Sequence, residues 1–473
     1  MSLKPGGNPG VQPAAAPAPL DTVRVHKEIL GHPAGLFVLF FTEMWERVSY
    51  YGMRALLVLY MVDYLIPRVH SGASQVVGFM SLQHGLEAVF GPLAVQPLAS
   101  QIYGLYTAFV YFTPFFGGML ADRVLGQRKS VVIGGVLMAI GQFLLAVESL
   151  FLPGLFFLIL GNGCFKPNIS TQVGSLYPQG DPRRDRAFTI FYMGVNLGAF
   201  IAPLVCGTLG QVYGWSYGFG SAGVGMVFGV FFYLWGQRFL AQDALTRDRH
   251  AQVEHAPLSG KEWKAIGGLV VLMLLNIVFW AVYEQQGNTM QLFADRNTDW
   301  HIFGFEMPST WFQAVNPFFI FTLTPLLNLF WGWQTRRGTE PPSVTKMAMG
   351  SIGLGISFLP LILVTAGLRP DQRINFMWLV SCTLVYTLGE LYLSPIGLSL
   401  VTKVAPARLV SMLMGMWYFS NFFGNYLTGY LGTYYEKMSK EAFFSMIAVL
   451  AVVAGAAIFA LNKPLKNAVG QNT

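Results

Sequence analysis

The run PAGLFVLFFTEMWERVSYYGMRALLVLYMV, residues 33–62, is long and apolar enough to cross a membrane, yet it carries Glu43, Glu46, Arg47 and Arg54. An ionisable side chain at the centre of a bilayer costs roughly 2.5–3.5 kcal/mol on insertion scales. At about 100° per residue, these four side chains fall within an arc of about 100° on one helix face. We therefore predict a transmembrane helix whose charged stripe faces protein or water.

The composition of the whole chain indicates the same class. Of its 473 residues, 53% are hydrophobic and only 11% are charged, whereas a soluble domain carries about 25% charged residues. The formal net charge of +7 could suggest a nucleic-acid partner, but the basic residues are scattered between apolar stretches and form no basic arm or domain. The chain is predicted to be an integral membrane protein with membrane lipid around it and no nucleic-acid partner.

Windows of about 20 apolar residues predict twelve membrane spans. The spans lie near residues 33–62, 96–120, 129–147, 152–173, 186–212, 217–237, 263–292, 311–333, 343–366, 375–401, 409–434 and 441–461. The expected fold is thus all-α, with twelve transmembrane helices. Residues 1–20 are rich in Pro, Ala and Gly, a composition that predicts a disordered tail.

The distribution of Lys and Arg predicts the orientation. The termini and even-numbered loops, with the span ends beside them, hold 21 of the 30 Lys and Arg residues, and the opposite loops hold six. Only Arg47, Arg54 and Lys166 lie within spans. By the positive-inside rule both termini are predicted to be cytoplasmic. The expected location is a plasma membrane, with a bacterial inner membrane as the leading case.

A polar stretch at 239–262 divides the twelve spans into two groups of six, as in major-facilitator transporters. The predicted organisation is a cytoplasmic tail (1–32), a six-helix bundle (33–238), a cytoplasmic linker (239–262), a second six-helix bundle (263–461) and a cytoplasmic tail (462–473). The less apolar segment 66–95 is interpreted as a structural insertion without a role in transport, and it could form a lateral helix on the extracytoplasmic side.

The cysteines and histidines give no indication of a metal site or disulfide framework. Cys164, Cys206 and Cys382 all lie within predicted spans. None of the seven histidines does, which removes the usual basis for a buried zinc or haem site. We expect no metal, no cofactor and no enzymatic activity.

Seven ionisable side chains are predicted to lie within the membrane: the four on the first span together with Lys166, Glu284 and Glu390. Four are acidic and three are basic, so one added proton would neutralise the set. Burial disfavours an ionised carboxylate and a nearby cation favours it, a balance that suits a proton carrier. The alternative is a set of static salt bridges between helices. That alternative is weaker, because apolar replacement of a buried pair is often neutral or stabilising.

Polar and aromatic side chains accompany the charged set within the predicted spans. They are Tyr50, Tyr51, Tyr103, Tyr111, Asn196, Asn316, Trp417, Ser420, Asn421 and Asn425. A lone Asn or Tyr in a span usually joins helices, with a contribution of roughly 0.6–2 kcal/mol. Together with separated positive and negative poles, these residues predict a cavity for a polar, dipolar solute.

Five motifs identify a family resemblance. They are EMWERVSYYG at 43–52, which follows the pattern ExxERFxYYG, GGMLADRVLG at 117–126, FYMGVNLGAFIAP at 191–203, FWAVYEQQG at 279–287 and GELYLSPIGLS at 389–399. Over residues 33–461 the chain resembles the proton-dependent oligopeptide transporters of the major facilitator superfamily. Val48 departs from the usual aromatic in the first motif. Gly104 stands where many animal members carry a histidine, so a histidine-based protonation step is not expected.

The resemblance implies a proton-coupled symporter that imports di- and tripeptides by alternating access, without an enzymatic step and as a monomer. It assigns proton coupling to Glu43, Glu46, Arg47, Lys166 and Glu284. It assigns peptide binding to Tyr50, Tyr51, Arg54, Tyr111, Lys166, Asn196, Asn316, Glu390, Trp417 and Ser420. In this scheme Lys166 is the cationic partner of Glu43 and Glu46, and Glu284 exchanges a salt bridge with Arg54.

The resemblance also implies how a peptide is held. Arg54 and Lys166 would attract its carboxylate, and Glu390 would attract its amine.

Two other functions remain open at this point. The same fold could carry nitrate or another small anion through Arg54 and Lys166, although Glu390 would then have no counterpart. A membrane receptor or enzyme would require an extramembrane domain or a clustered metal or nucleophile site, and the sequence shows neither pattern.

Overall fold

The structure is a computed structural model that describes residues 28–178, 181, 183–241, 259–369, 372–405, 409–463 and 467. The predicted disordered tail at 1–20, most of the predicted linker 239–262 and most of the tail 462–473 lie outside these residues. Within the described ranges, long helices dominate, and the strands are two-residue pairs in loops.

The first half of the described chain, residues 28–241, begins with a short antiparallel hairpin that pairs Glu28 with Pro33. Its elements are β1 (Glu28–Ile29), β2 (His32–Pro33), α1 (Ala34–Tyr60), α2 (Ile66–His70), α3 (Phe79–Phe90), α4 (Val95–Leu120), α5 (Gln127–Leu145), α6 (Phe151–Ser175), α7 (Arg183–Ala202) and α8 (Trp215–Gly236). π-Helical turns extend α1 over Met61–Leu65 and α7 over Pro203–Gly207 and Leu209–Tyr213.

The second half, residues 259–463, begins with a helix whose first turn is closed by a capping box between Ser259 and Glu262. Its elements are α9 (Gly260–Tyr283), α10 (Thr289–Arg296), β3 (Thr298–Asp299), β4 (His301–Ile302), β5 (Phe305–Glu306), α11 (Phe312–Arg336), α12 (Ser343–Ile356), α13 (Leu359–Thr365), β6 (Ile374–Asn375), α14 (Met377–Val404), α15 (Val410–Gly432) and α16 (Lys440–Ala460). Strand β3 pairs in parallel with β6, and β4 pairs antiparallel with β5.

Each of the twelve predicted spans coincides with a long helix or with two consecutive helices, which confirms the all-helical membrane fold. Ten helical segments in the described residues are long and apolar enough to cross a membrane. Helix α1 falls short because of its charges, and α15 because Ser, Asn and Tyr side chains lower its hydropathy. Six of the buried polar or charged side chains lie on α1 and four on α15, and both helices pack against other helices.

The segment between the first two spans forms helices α2 and α3. Helix α3 lies beside the end of α15, where the ring centroids of Phe90 and Tyr430 are 6.0 Å apart. The segment is thus helical over Phe79–Phe90, and its place as a lateral helix on the extracytoplasmic side stays a prediction.

The two halves meet along α4 and α15 and along α7 and α11. Glycine permits the closest approach: a Cβ placed on Gly104 of α4 would lie 2.6 Å from Cα of Gly429 on α15. Such contacts let helix backbones pack directly, as is common between transmembrane helices.

We call the end of the bundle where α1 finishes and α4 begins the distal end. Polar side chains join the two halves there. Gln211 Nε2 donates to Asp295 Oδ1 at 3.2 Å and to Ser309 Oγ at 2.8 Å. Trp311 Nε1 donates to Thr208 Oγ1 at 2.8 Å. The distal end is therefore closed in this structure.

Candidate functional site

A cavity of about 150 Å³ lies between the two halves and holds side chains from both. Its lining residues are Tyr51 and Arg54 on α1; Tyr111 on α4; Tyr192, Val195, Asn196 and Ala199 on α7; Pro203 in the π-helical extension of α7; Trp280 and Tyr283 on α9; Glu284 and Gln286 in the turn after α9; Gln313, Asn316, Pro317 and Ile320 on α11; and Glu390 on α14. Aromatic and apolar walls with a few convergent polar groups are typical of a small-molecule site.

The positive pole of the cavity is Arg54, which is only 6% exposed. One terminal guanidinium nitrogen pairs with the Glu284 carboxylate, and Arg54 Nε donates to Tyr103 Oη at 2.8 Å. The pairing of Arg54 with Glu284 expected from the sequence is thus present. Because the pair joins α1 to the end of α9, it ties one half of the protein to the other.

Glu284 reaches Arg54 because the seventh span is broken at this point. Helix α9 ends at Tyr283, a 3₁₀ turn covers Glu284–Gly287, and α10 begins at Thr289. Side chains of neighbouring helices bond to carbonyl groups near the break. Tyr386 Oη donates to the Tyr283 carbonyl, and Gln285 Nε2 donates to the Thr428 carbonyl at 3.0 Å. Broken helices of this kind occur within membranes where protein replaces the lost backbone bonds.

The negative pole is Glu390 on α14. Asn316 Nδ2 donates to Glu390 Oε2 at 3.0 Å and to Thr387 Oγ1 at 3.0 Å, so the amide holds the carboxylate against α11. In the described residues no cation forms an ion pair with Glu390. The carboxylate is therefore available to a cationic group of a bound molecule.

A second charged group lies on α1 beside the cavity. Arg47 Nε lies 3.2 Å from Glu43 Oε1 and also donates to Glu46. All three side chains are buried, and Glu43 Oε2, Glu46 Oε1 and Arg47 Nη2 have no hydrogen-bond partner among the residues that the structure describes. Two carboxylates share one guanidinium, so the group carries one excess negative charge when fully ionised. An unpaired carboxylate oxygen of Glu43 or Glu46 can then accept a proton.

One aromatic ring lies between the two charged groups of α1. The Tyr51 ring centroid is 5.9 Å from Cζ of Arg47 and 5.9 Å from Cζ of Arg54. Both distances are within the range of a cation–π interaction. The ring is also part of the cavity wall. The charged triad and the Arg54–Glu284 pair are thus in contact through a residue that a bound solute would touch.

The structure places Lys166 beside Tyr111. Its Nζ lies 4.4 Å from the centroid of the Tyr111 ring, and it forms no ion pair with a carboxylate of the described residues. Arg47, one turn after Glu43, is the cation that pairs directly with the two glutamates, and the partnership of Lys166 with them stays a prediction. Lys166 therefore stands behind the cavity wall that Tyr111 forms and does not line the cavity.

Three further residues assigned to peptide binding do not line this cavity. Tyr50 is buried against Tyr51, with ring centroids 5.2 Å apart. Ser420 Oγ donates to the Trp417 carbonyl at 2.6 Å and accepts from Asn276 Nδ2 at 3.0 Å, so it joins α9 to α15. The Trp417 ring packs directly against Gly397 of α14. Of the ten residues assigned to peptide binding, six line the cavity: Tyr51, Arg54, Tyr111, Asn196, Asn316 and Glu390.

Sequence reasoning missed Tyr192, Trp280, Tyr283, Gln286 and Gln313. Four of them lie inside quoted motifs, at 191–203 and 279–287, so their helical spacing from Asn196 and Glu284 was a usable signal. Tyr192, for example, is one turn before Asn196, whose Nδ2 donates to its carbonyl at 3.0 Å. Gln313 lies in no motif and had no such signal.

Comparison with known proteins agrees with this geometry. The model of the POT family matches residues 128–256 and 250–450. The peptide transporter YePEPT of Yersinia enterocolitica subsp. palearctica serotype O:3 is 31% identical over 94% of this chain and 98% of its own length. A di-/tripeptide transporter of Lactococcus lactis subsp. cremoris is 30% identical over 94% of this chain and 98% of its own.

Among solved structures, a peptide transporter POT in complex with sulfate superposes with a TM-score of 0.80. It is 31% identical and covers 94% of this chain and 97% of its own. The match runs through both halves and includes the helices that form the cavity. The chain therefore belongs to the POT family of multi-pass membrane transporters.

Proposed function

We propose that this protein is a proton-coupled symporter that imports di- and tripeptides by alternating access. The observation that carries the proposal is a cavity with opposite poles on opposite halves, Arg54 on α1 and Glu390 on α14. A short peptide is a zwitterion with an amine at one end and a carboxylate at the other, so it matches this pair of poles. The names of the relatives from Yersinia and Lactococcus support the same substrate class.

In this proposal the peptide bridges the two halves. The carboxylate binds Arg54, since a guanidinium recognises a planar carboxylate well, and the amine binds Glu390 beside Asn316. Tyr51, Tyr111 and Asn196 form the wall along the peptide. Lys166 adds positive potential from behind Tyr111 and holds that ring in place, which replaces the direct contact expected from the sequence. Tyr50, Trp417 and Ser420 support the wall from behind.

A proton has two proposed sites. Protonation of Glu284 removes the charge that holds Arg54 and releases the guanidinium for the peptide carboxylate. The Glu43–Glu46–Arg47 triad has one excess negative charge, so one proton there makes it neutral. Transfer of a conformational signal between the sites passes through Tyr51, whose ring contacts both arginines. We also include Lys166 among the proton-coupling residues, because of its positive charge.

The excess of Lys and Arg near the termini supports a cytoplasmic location for both ends of the chain in a plasma membrane, a bacterial inner membrane in the leading case. The distal end is then extracytoplasmic. With that end closed, the structure corresponds to a state that does not admit solute from outside. We propose further that 33–238 and 263–461 move as two six-helix bundles about the cavity within a monomer.

The proton gradient supplies enough free energy for uptake. One charge moving across ~100 mV gains roughly 2.3 kcal/mol, and a gradient of one pH unit adds about 1.4 kcal/mol. One proton per peptide would then support roughly 500-fold accumulation.

The test is solute uptake by proteoliposomes with an acidic exterior and a negative interior. We expect accumulation of radiolabelled dialanine that collapses when a protonophore is added, and we expect Glu390→Ala to abolish it. Glu306→Gln is the matched control, because this glutamate is 67% exposed in a distal loop and lies outside the cavity. Transport of nitrate without dialanine would favour the anion carrier, and no gradient-dependent flux of any solute would contradict a transporter.

A further inference from the structure

A second cavity, of about 250 Å³, lies at the distal end of the first half, away from the transport cavity. Its lining comes from the end of α1, the α5–α6 connection and the start of α8, with Tyr60, Tyr64, Leu145, Glu148, Gly214, Trp215, Ser216 and Tyr217 as its residues. The transport cycle proposed above uses none of these side chains.

Packing and hydrogen bonds fix the walls of this cavity. The Tyr60 and Tyr64 rings are stacked with centroids 5.5 Å apart, and the Trp215 ring stands edge-on to Tyr60 at 5.7 Å. Ser216 Oγ donates to the Ala146 carbonyl at 2.9 Å, which joins the α8 wall to the α5–α6 connection. The segments that form the cavity are thus held together by a hydrogen bond and by ring packing.

The rim carries one negative and one positive group side by side. Glu148 accepts from Arg68 Nε at 3.1 Å and from Tyr64 Oη at 3.2 Å. Both charged side chains remain partly open to solvent, at 24% for Glu148 and 42% for Arg68. The two terminal nitrogens of Arg68 donate to no group that the structure describes, and its Cζ lies 5.0 Å above the Tyr64 ring.

The two helices that lead away from the cavity, α5 and α8, carry apolar side chains on their outward surfaces. Ile140 and Phe143 of α5 and Val224 and Phe228 of α8 are all exposed large hydrophobic residues. In a membrane protein such a face is in contact with acyl chains. Tyr and Trp side chains are typical of the level where the bilayer meets water. Tyr60, Tyr64, Trp215 and Tyr217 give the cavity the side chains that are typical of that level.

We propose that this cavity binds the headgroup of a zwitterionic phospholipid with an ammonium group, such as phosphatidylethanolamine. The ammonium group lies against the tyrosine and tryptophan rings and Glu148, since aromatic walls with a nearby carboxylate suit organic cations. The phosphate accepts hydrogen bonds from the free nitrogens of Arg68. The acyl chains follow the exposed face between α5 and α8. The inference does not depend on the identity of the transported solute.

The experiment is native mass spectrometry of the purified full-length chain in detergent with equal amounts of dioleoyl phosphatidylethanolamine, phosphatidylcholine and phosphatidylglycerol. We expect the wild type to retain the two ammonium lipids at least about fivefold more than phosphatidylglycerol. A cation–π contact together with an ion pair accounts for a difference in binding of this size. Glu148→Gln should remove this preference, and Arg68→Gln should reduce retention of all three lipids.

The matched control is Trp263→Leu, because Trp263 is an exposed tryptophan near the start of α9, at the other end of the bundle. It should leave the lipid preference unchanged. Equal retention of phosphatidylglycerol by the wild type, or an unchanged preference in Glu148→Gln, would overturn the proposal. Displacement of bound phosphatidylethanolamine by millimolar dialanine in the wild type but not in Glu148→Gln would assign the site to a soluble amine instead of a lipid.

Discussion

At the scale of single residues, the charged side chains are divided between separate groups. Arg54 pairs with Glu284, Arg47 pairs with Glu43 and Glu46, and Glu390 has an amide partner. Sequence alone predicted that all of these residues are buried within the protein, because a charged side chain that faced lipid would make membrane insertion unfavourable. It could not tell whether Arg47 or Lys166 pairs directly with Glu43 and Glu46, because opposite charge and approximate depth do not specify which of two cations reaches a carboxylate.

Glu284→Gln tests the coupling role of the Arg54–Glu284 pair. The glutamine keeps the size of the side chain but holds no charge and cannot exchange the proton. We expect proton-driven accumulation of dialanine to be lost, while dialanine counterflow without a gradient continues. Both are measured in proteoliposomes, with the exposed Glu306→Gln variant as the control. Full uphill transport by Glu284→Gln would remove this residue from the coupling step.

Tyr103→Phe tests whether the hydroxyl positions Arg54. The substitution removes the acceptor of the 2.8 Å bond from Arg54 Nε and leaves a buried donor unpaired, at a cost of about 1–3 kcal/mol. The guanidinium then loses its fixed orientation toward the cavity. We expect the KM for dialanine to rise by about fivefold or more, with a smaller change in the maximal rate. Tyr64→Phe at the distal rim serves as the control, and an equal rise in KM there would argue against a positioning role.

At the scale of elements, the apolar runs predicted the helices well because membrane insertion needs about 20 apolar residues in sequence. They did not predict the break in the seventh span, which was expected to continue from 263 to 292. The break at Glu284–Gly287 is stabilised by Tyr386 and Thr428, residues about 100 or more positions away. Hydropathy is a local property, so it carries no signal of that support.

Gly429→Ala tests the close contact of α4 with α15. A Cβ at this position would lie 2.7 Å from the Ser100 carbonyl oxygen, a backbone atom that can yield only by separating the helices. We expect a loss of about 1–3 kcal/mol in stability, seen as a lower unfolding temperature in detergent. Gly353→Ala on α12 is the matched control, because its nearest neighbour would be 3.7 Å away. A similar loss in both variants would show that helix packing at Gly429 is not special.

At the scale of the whole molecule, the all-helical membrane fold followed from the sequence, but the conformational state did not. Opening and closing of a transporter exchanges contacts between halves, and one sequence must satisfy both sets. The structure shows which set is formed here. Gln211 on the extension of α7 contacts Asp295, Ser309 and Thr310 from the other half. At the exposed edge Arg296 pairs with Asp63 of the other half and with Glu436 of its own half.

These two sets of contacts differ in their expected contribution to closure. The ion pairs of Arg296 are more than a third exposed, and such pairs contribute roughly 0–1 kcal/mol. Gln211 makes its hydrogen bonds at 2.8–3.2 Å to partly buried or buried groups. Each such bond is worth about 0.5–1.5 kcal/mol. We therefore expect Gln211, and not Arg296, to control the closed state of the distal end.

Gln211→Leu should accordingly shift the population toward a state open at the distal end, by roughly ten- to 100-fold for a loss of a few kcal/mol. The measurement uses a cysteine at Ala199 on the cavity wall, in a background in which Cys164, Cys206 and Cys382 are replaced, and a membrane-impermeant maleimide added from the distal side. Labelling should be faster in Gln211→Leu than in the parent, and Arg296→Gln should change it by less than about fivefold. A larger effect of Arg296→Gln would mean that the exposed ion pairs, and not the buried amide, hold the two halves together at this end.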